Sequence, residues 1–189
     1  MKDYEERISQ GEVLNILKKR RSCRKYATTQ ITEEELEVIL QAGNAAPVAN
    51  NRVGDFKIIV IQNKDLLDEL EATTRELYIQ MGMEKSAVIY NAPTLIIAAI
   101  KKLEGAYEKG MYCSAACILE NMILVATEMN LGNTFLMGVT VALNTNLDLM
   151  RKIGIPEEYE AAAAVAIGKT EDKLLERDLS HMRIQVERK

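Results

Sequence analysis

The residues with the clearest capacity for chemistry form a short basic run, Arg20-Arg21-Ser22-Cys23-Arg24. Basic charge at a helix end complements the macrodipole, so the run by itself also admits a purely structural reading. In extended backbone, however, side chains alternate, and Arg20, Ser22 and Arg24 then project to one side. Two guanidinium forks and a hydroxyl suit a phosphate monoester, because arginine engages its oxygens in bidentate fashion. Other chemistries find little support. The single histidine, His181, follows Ser180 in a polar tail, and no G-x-S-x-G supplies a nucleophile elbow. Cys113 and Cys117 share a helix face, yet two thiols without histidines do not make a zinc site. Small residues in a buried helix contact are the plainer reading of that pair. Neither G-x-G-x-x-G nor G-x-x-x-x-G-K-[ST] occurs, so a Rossmann dinucleotide site and a P-loop both lack their fingerprint.

Composition narrows the field further. The 189 residues carry a net charge of −4, which disfavours a nucleic-acid partner that would need a basic excess. Hydrophobic residues make up 48% and charged residues 28%, as in ordinary globular domains, so one domain spanning 1–189 is expected. No stretch reads as a membrane span of ~20 apolar residues, and the charged start, Met1 to Arg7, lacks the apolar core of a signal peptide. Three cysteines, Cys23, Cys113 and Cys117, read as reduced thiols in the cytoplasm. Trp is absent, so no site here is built on indole stacking.

The elements that must position the basic run can be read from periodicity. A helix is expected from Glu12 to about Lys19, directly before it. Thr32 and Glu35 spell a capping box, with Ile31 and Leu36 as hydrophobic staple, opening a helix that should stop at Gly43 as its C′ residue. Phe56–Ile61 and Thr94–Ile100 read as strands, with a helix from Lys64 to about Met81 between them. Lys101 to Gly110 reads as a loop or lid. Met111–Asn130 is a helix apolar nearly all round, which demands cover on nearly every side and so implies a subunit interface. Strands are expected at Asn133–Val141 and Ala161–Ile167, with a short helix between Asn144 and Ile153. The alternating run Met182–Glu187 suits an edge strand, within a C-terminal arm of about 178–189 that adds to a partner's sheet. The class is α+β.

Several of these segments, in this order, resemble the nitroreductase-like superfamily of FMN-dependent oxidoreductases. The match runs through R-R-S-x-R at Arg20 to Arg24, T-x-x-E-L-x-x-I-L-x-A-G at Thr32 to Gly43 and A-P-V-A-x-N-R at Ala46 to Arg52. It continues through A-P-T-L-I-I at Ala92 to Ile97, L-G-N-T-F-L-M-G at Leu131 to Gly138, G-I-P at Gly154 to Pro156 and A-I-G at Ala166 to Gly168. The resemblance implies a mostly antiparallel central sheet flanked by helices, in an intertwined homodimer with FMN at the subunit interface.

It also implies site residues. Arg20, Arg21 and Ser22 would hold the phosphate and ribityl chain, and Arg24 would lie near N1 and O2 of the ring. Pro47, Val48, Ala49 and Asn51 would pack on the flavin from the opposite subunit. Leu136, Met137 and Gly138 would line the ring as a strand, with a backbone N–H directed at N5. Lys169 and Arg177 are the candidates to close the phosphate site. No side chain would act as nucleophile: hydride would pass from NADH or NADPH through N5 to a small acceptor, nitroaromatic or quinone, in ping-pong fashion. The pattern departs from many members in two places. Val53-Gly54-Asp55 replaces Gln-Pro-Trp, and Gly168-Lys169-Thr170 replaces Gly-Tyr-Pro. These departures bear on substrate recognition, and they keep a non-catalytic flavin-binding or interaction dimer as the alternative. A specialised reductive reaction on a bound metabolite is a third reading.

Overall fold

The computed structural model describes residues 11–83, 87–173, 175–180 and 183–189. Its elements follow in chain order as α1 (Glu12–Lys19), α2 (Glu33–Asn44), β1 (Phe56–Ile61), α3 (Lys64–Gln80), β2 (Thr94–Lys101), α4 (Ala106–Glu128), β3 (Gly132–Leu136), α5 (Gly138–Asn144), α6 (Leu147–Lys152) and β4 (Tyr159–Gly168). The four strands form one antiparallel sheet in the order β1-β2-β4-β3.

The central strands are buried on both faces, so their side chains divide between two cores. Leu95, Ile97 and Ala99 of β2 join the core under α3, α5 and α6, while Ile96, Ala98 and Ile100 face α2 and α4. A register shift at Ala98/Ala99 puts Ala162 and Ala163 of β4 consecutively on that second face. The alanine-rich run of β4 has a helical propensity that its neighbours override, because burial between two helical layers favours a strand there. Each fully buried leucine or isoleucine contributes roughly 1.5–3 kcal/mol relative to exposure.

The helix starts follow their local chemistry. Glu35 N–H donates to Thr32 Oγ1 at 3.1 Å and Thr32 N–H to Glu35 Oε2 at 2.7 Å, so the capping box forms at α2. The staple residues Ile31 and Leu36 are both buried beside it. Asn63 and Asn146 cap α3 and α6 in the same way, each accepting an N–H at 3.0 Å.

Four expectations are corrected. Gly43 lies inside α2 rather than after it. A Cβ there would meet Met122 Cε at 2.2 Å, so this glycine permits the close approach of α2 to α4. The segment 101–110 is only partly loop, since α4 begins at Ala106. The strand expected over Asn133–Val141 ends at Leu136, and α5 takes over at Gly138. Val139 and Leu143, one helical turn apart, are buried in the first core, and that burial outweighs the β preference of Val139-Thr140-Val141. Finally, although no membrane span is expected, Tyr107–Glu128 has the length and composition of one; half of its apolar window is buried inside the fold. The C-terminal residues 183–189 form no strand within the single chain, and His181 and Met182 lie outside the described residues.

Candidate functional site

The basic run folds as the alternation requires. α1 ends at Lys19, and Arg20 turns into extended backbone. Ser22 then bridges Asn133 of β3 in parallel, with Cys23 N–H donating to Asn133 O at 2.8 Å. Cys23 is fully buried, its Sγ within 3.2 Å of Lys25 O and 3.4 Å of Thr170 Oγ1. Ser22 and Arg24, on either side of it, face outward in consequence.

A hydroxyl network fastens this segment from beneath. Tyr26 OH donates to Cys23 O at 3.1 Å and lies 3.2 Å from Thr134 Oγ1, which also donates to Cys23 O. Burial pushes the Tyr26 phenol well above its ordinary pKa, and the Thr134 hydrogen bond only partly offsets this, so Tyr26 stays a neutral donor. Ala27 N–H closes the segment onto Lys169 O at 2.8 Å.

The far end of the run carries concentrated positive charge. Arg177 N–H donates to Lys18 O at 2.8 Å, which brings the C-terminal segment back to the end of α1. Its guanidinium then sits among Arg20, Arg21 and Arg183. Partial burial, followed by these three cations, holds the Arg177 pKa below its usual value, with Glu120 acting the other way. The Arg177 Nε is buried without a hydrogen-bond partner. Gathering guanidiniums around an orphaned donor is unfavourable unless an anion joins them, so the residues fit a phosphate dianion. Lys169, the other candidate, contributes its carbonyl to the Ala27 contact.

The remaining predicted residues divide. Leu136, Met137 and Gly138 lie at the opposite end of β3 from Ser22, but not as one strand: Leu136 ends β3, Met137 caps α5 and Gly138 begins it. A Cβ on Gly138 would meet Tyr78 OH at 2.1 Å, so a side chain there would have to displace the Tyr78 ring. Pro47, Val48, Ala49 and Asn51 lie elsewhere. Their loop folds onto the start of α4, where Ala49 N–H donates to Ser114 Oγ at 3.0 Å, and it leads into edge strand β1. In place of the usual Gln-Pro-Trp, Asp55 Oδ2 binds Arg52 Nε at 2.5 Å and braces the loop.

Strand pairing gives the separation. Phe56 pairs with Ile100 and Ile100 with Glu160, whereas Ser22 bridges Asn133 and Asn133 pairs with Ile167. Those two levels differ by seven residues of β4, roughly 23 Å, and four strand spacings add roughly 19 Å across the sheet. The Pro47 loop and the basic run therefore occupy diagonal corners of one chain.

Comparison with known proteins decides the family. A profile of the Nitroreductase family matches residues 17–169. The chain belongs to the nitroreductase family. A candidate NADH dehydrogenase/NAD(P)H nitroreductase of Archaeoglobus fulgidus is 32% identical over 166 residues, covering 86% of this chain and 87% of that one. Among solved structures, an FMN-bound nitroreductase from Bacteroides fragilis superposes with a TM-score of 0.80 at 26% identity, covering 95% of this chain and 100% of that one. A second, from Desulfitobacterium hafniense, gives the same TM-score and the same coverage at 22% identity and attests the nitroreductase fold alone.

Sequence reasoning missed three participants. Arg183 joins the cationic cluster from a tail that reads as an edge strand, and Tyr26 fastens the basic run through a hydroxyl that no motif marks. Tyr90, whose ring lies 5.8 Å from the Arg24 guanidinium, precedes A-P-T-L-I-I without a signal of its own.

Proposed function

We propose that this nitroreductase is an NAD(P)H-dependent FMN oxidoreductase acting on a small nitroaromatic or quinone acceptor. The observation that carries the reading is the cluster of Arg20, Arg21 and Arg177 around a buried, unpartnered guanidinium N–H, at the head of a segment fixed along β3. When bound, FMN would supply the chemistry for hydride transfer between NAD(P)H and the acceptor. The chain's own residues bind and orient it. Arg20, Arg21 and Arg177 hold the phosphate, Ser22 donates to the phosphate or ribityl oxygens, and Arg24 places a cation at the N1–O2 edge. Such a cation stabilises negative charge accumulating there. Leu136, Met137 and Gly138 line the ring near N5.

Diagonal corners of one chain cannot meet on one ligand, so Pro47, Val48, Ala49 and Asn51 come from a second copy in a homodimer. The uncovered face of α4 supports this arrangement, since Cys113, Ala116 and Cys117 point outward along one stripe. A neighbouring groove of about 360 Å³, lined by Val48, Phe56, Ile58 and Met122 among others, leaves further apolar surface to cover. Ile184 and Val186 of the terminal arm are exposed, at 78% and 55%, and would find cover as a strand added to the partner's sheet. The free state of Cys23, Cys113 and Cys117 suits a cytoplasmic location.

One experiment tests the core of this reading. The purified protein should be yellow, or become so with added FMN, and should bleach anaerobically with NADH or NADPH. Initial rates against nicotinamide and acceptor should give parallel lines; intersecting lines contradict a shared site. A yellow protein that neither dinucleotide reduces would favour the non-catalytic alternative, and a protein that ignores FMN refutes the flavin reading.

A further inference from the structure

Arg24 is exposed, and a long cationic side chain in solvent would sample many rotamers. Here it does not stand alone, because its guanidinium lies 5.8 Å from the centroid of the Tyr90 ring. That ring rests on an unusual piece of backbone. Tyr90 and Asn91 are consecutive left-handed residues, at φ 61° and 56°, a conformation an aromatic residue rarely adopts. The turn is anchored on both sides. Before it, Glu71 accepts the N–H groups of Val88 at 2.8 Å and Ile89 at 2.6 Å; after it, Gln30 Nε2 donates to Pro93 O at 2.8 Å.

We infer that Tyr90 is a positioning residue: its ring, carried on this fixed turn, orients the Arg24 guanidinium toward the flavin edge and thereby raises the reduction potential of the bound cofactor. The inference rests on the FMN reading above and adds a residue to it. A cation held in place stabilises the reduced ring more than one that wanders, because no reorganisation is needed when charge arrives. The attraction of a guanidinium to an aromatic face sets the scale.

The test measures the midpoint potential of the FMN-loaded protein by equilibration with a reference dye. Tyr90→Asn removes the ring while suiting the left-handed backbone, since asparagine tolerates that region. It should weaken the preference for reduced over oxidised FMN by roughly three- to tenfold, a fall of about 14–30 mV for a two-electron couple. Tyr90→Phe, which keeps the ring, should retain the wild-type potential. In an Arg24→Gln background, Tyr90→Asn should add no further shift. An unchanged potential in Tyr90→Asn overturns the inference, as does an equal shift in the Arg24→Gln background or a Phe variant behaving like Asn. If Tyr90→Asn fails to fold, the comparison of Tyr90→Phe with Tyr90→Gly, which adopts the left-handed backbone freely, decides in the same way. Wild-type protein that takes up no FMN overturns the flavin reading itself, a result distinct from normal uptake with an unaltered potential.

Discussion

Arg177→Met separates a binding role for the cationic cluster from a structural one, because the two states of the protein should respond with opposite sign. In the free chain, Arg177 has a buried, unpartnered Nε and like charges at Arg20, Arg21 and Arg183. Methionine keeps the apolar stem packed while removing both unfavourable features. An unsatisfied buried donor costs about 1–3 kcal/mol. Taking the low end, because the side chain is only half-buried, the free variant should melt about 2–4 °C higher than wild type. In the complex, the same change removes a charge-assisted hydrogen bond of about 1.5–3 kcal/mol to the phosphate, weakening FMN roughly 10- to 150-fold. At FMN concentrations near 100 times the wild-type Kd, wild type gains about 2.7 kcal/mol of stability, and a variant weakened 30-fold gains only about 0.9 kcal/mol. Thermal melts with and without FMN, together with an FMN titration by flavin fluorescence, measure both quantities. A Kd within twofold of wild type, or free and loaded proteins both destabilised, would refute the reasoning.

The remaining predictions concern the same geometry. FMN binding should weaken several-fold as pH falls from 7.5 to 5.5, because a phosphate monoester with a second pKa near ~6 loses one negative charge while the arginines keep theirs; a titration series in constant salt checks it. Gly43→Ala should lower stability by about 1–3 kcal/mol, since the new Cβ would fall 2.2 Å from Met122 Cε and 3.1 Å from its Cγ; denaturant unfolding should show the loss, and the same substitution should cost less when made in a Met122→Ala background. Ala116→Arg, on the uncovered face of α4, should shift the protein toward monomer in analytical ultracentrifugation and release FMN with it; flavin retained by a monomer would contradict a site shared between copies. Thr32→Ala should cost about 1 kcal/mol through loss of the α2 cap, read in the same unfolding assay.

What the sequence discloses and what it conceals follow from the range of the interactions involved. The capping box at Thr32 and Glu35, the staple at Ile31 and Leu36 and the apolar runs of β1 and β2 are local signals, and each appears where periodicity places it. The run of α5 misleads because its β-branched residues speak for a strand, while the burial of Val139 and Leu143 is decided by elements distant in sequence. Gly43 misleads for a related reason: glycine near a helix end suggests a stop, whereas the demand for it comes from Met122, far along the chain. The site obeys the same division. Alternation alone sets Ser22 and Arg24 outward around buried Cys23, so that part is legible. The return of Arg177 to the end of α1 is not, because it depends on where the tail runs after β4. Tyr90 lies furthest from view, since its relation to Arg24 is made by two left-handed residues and two flanking anchors, none of which has a sequence pattern. The diagonal placement of the Pro47 loop and the basic run is likewise a property of strand order, which is why the proposed site takes one half from each copy of the chain.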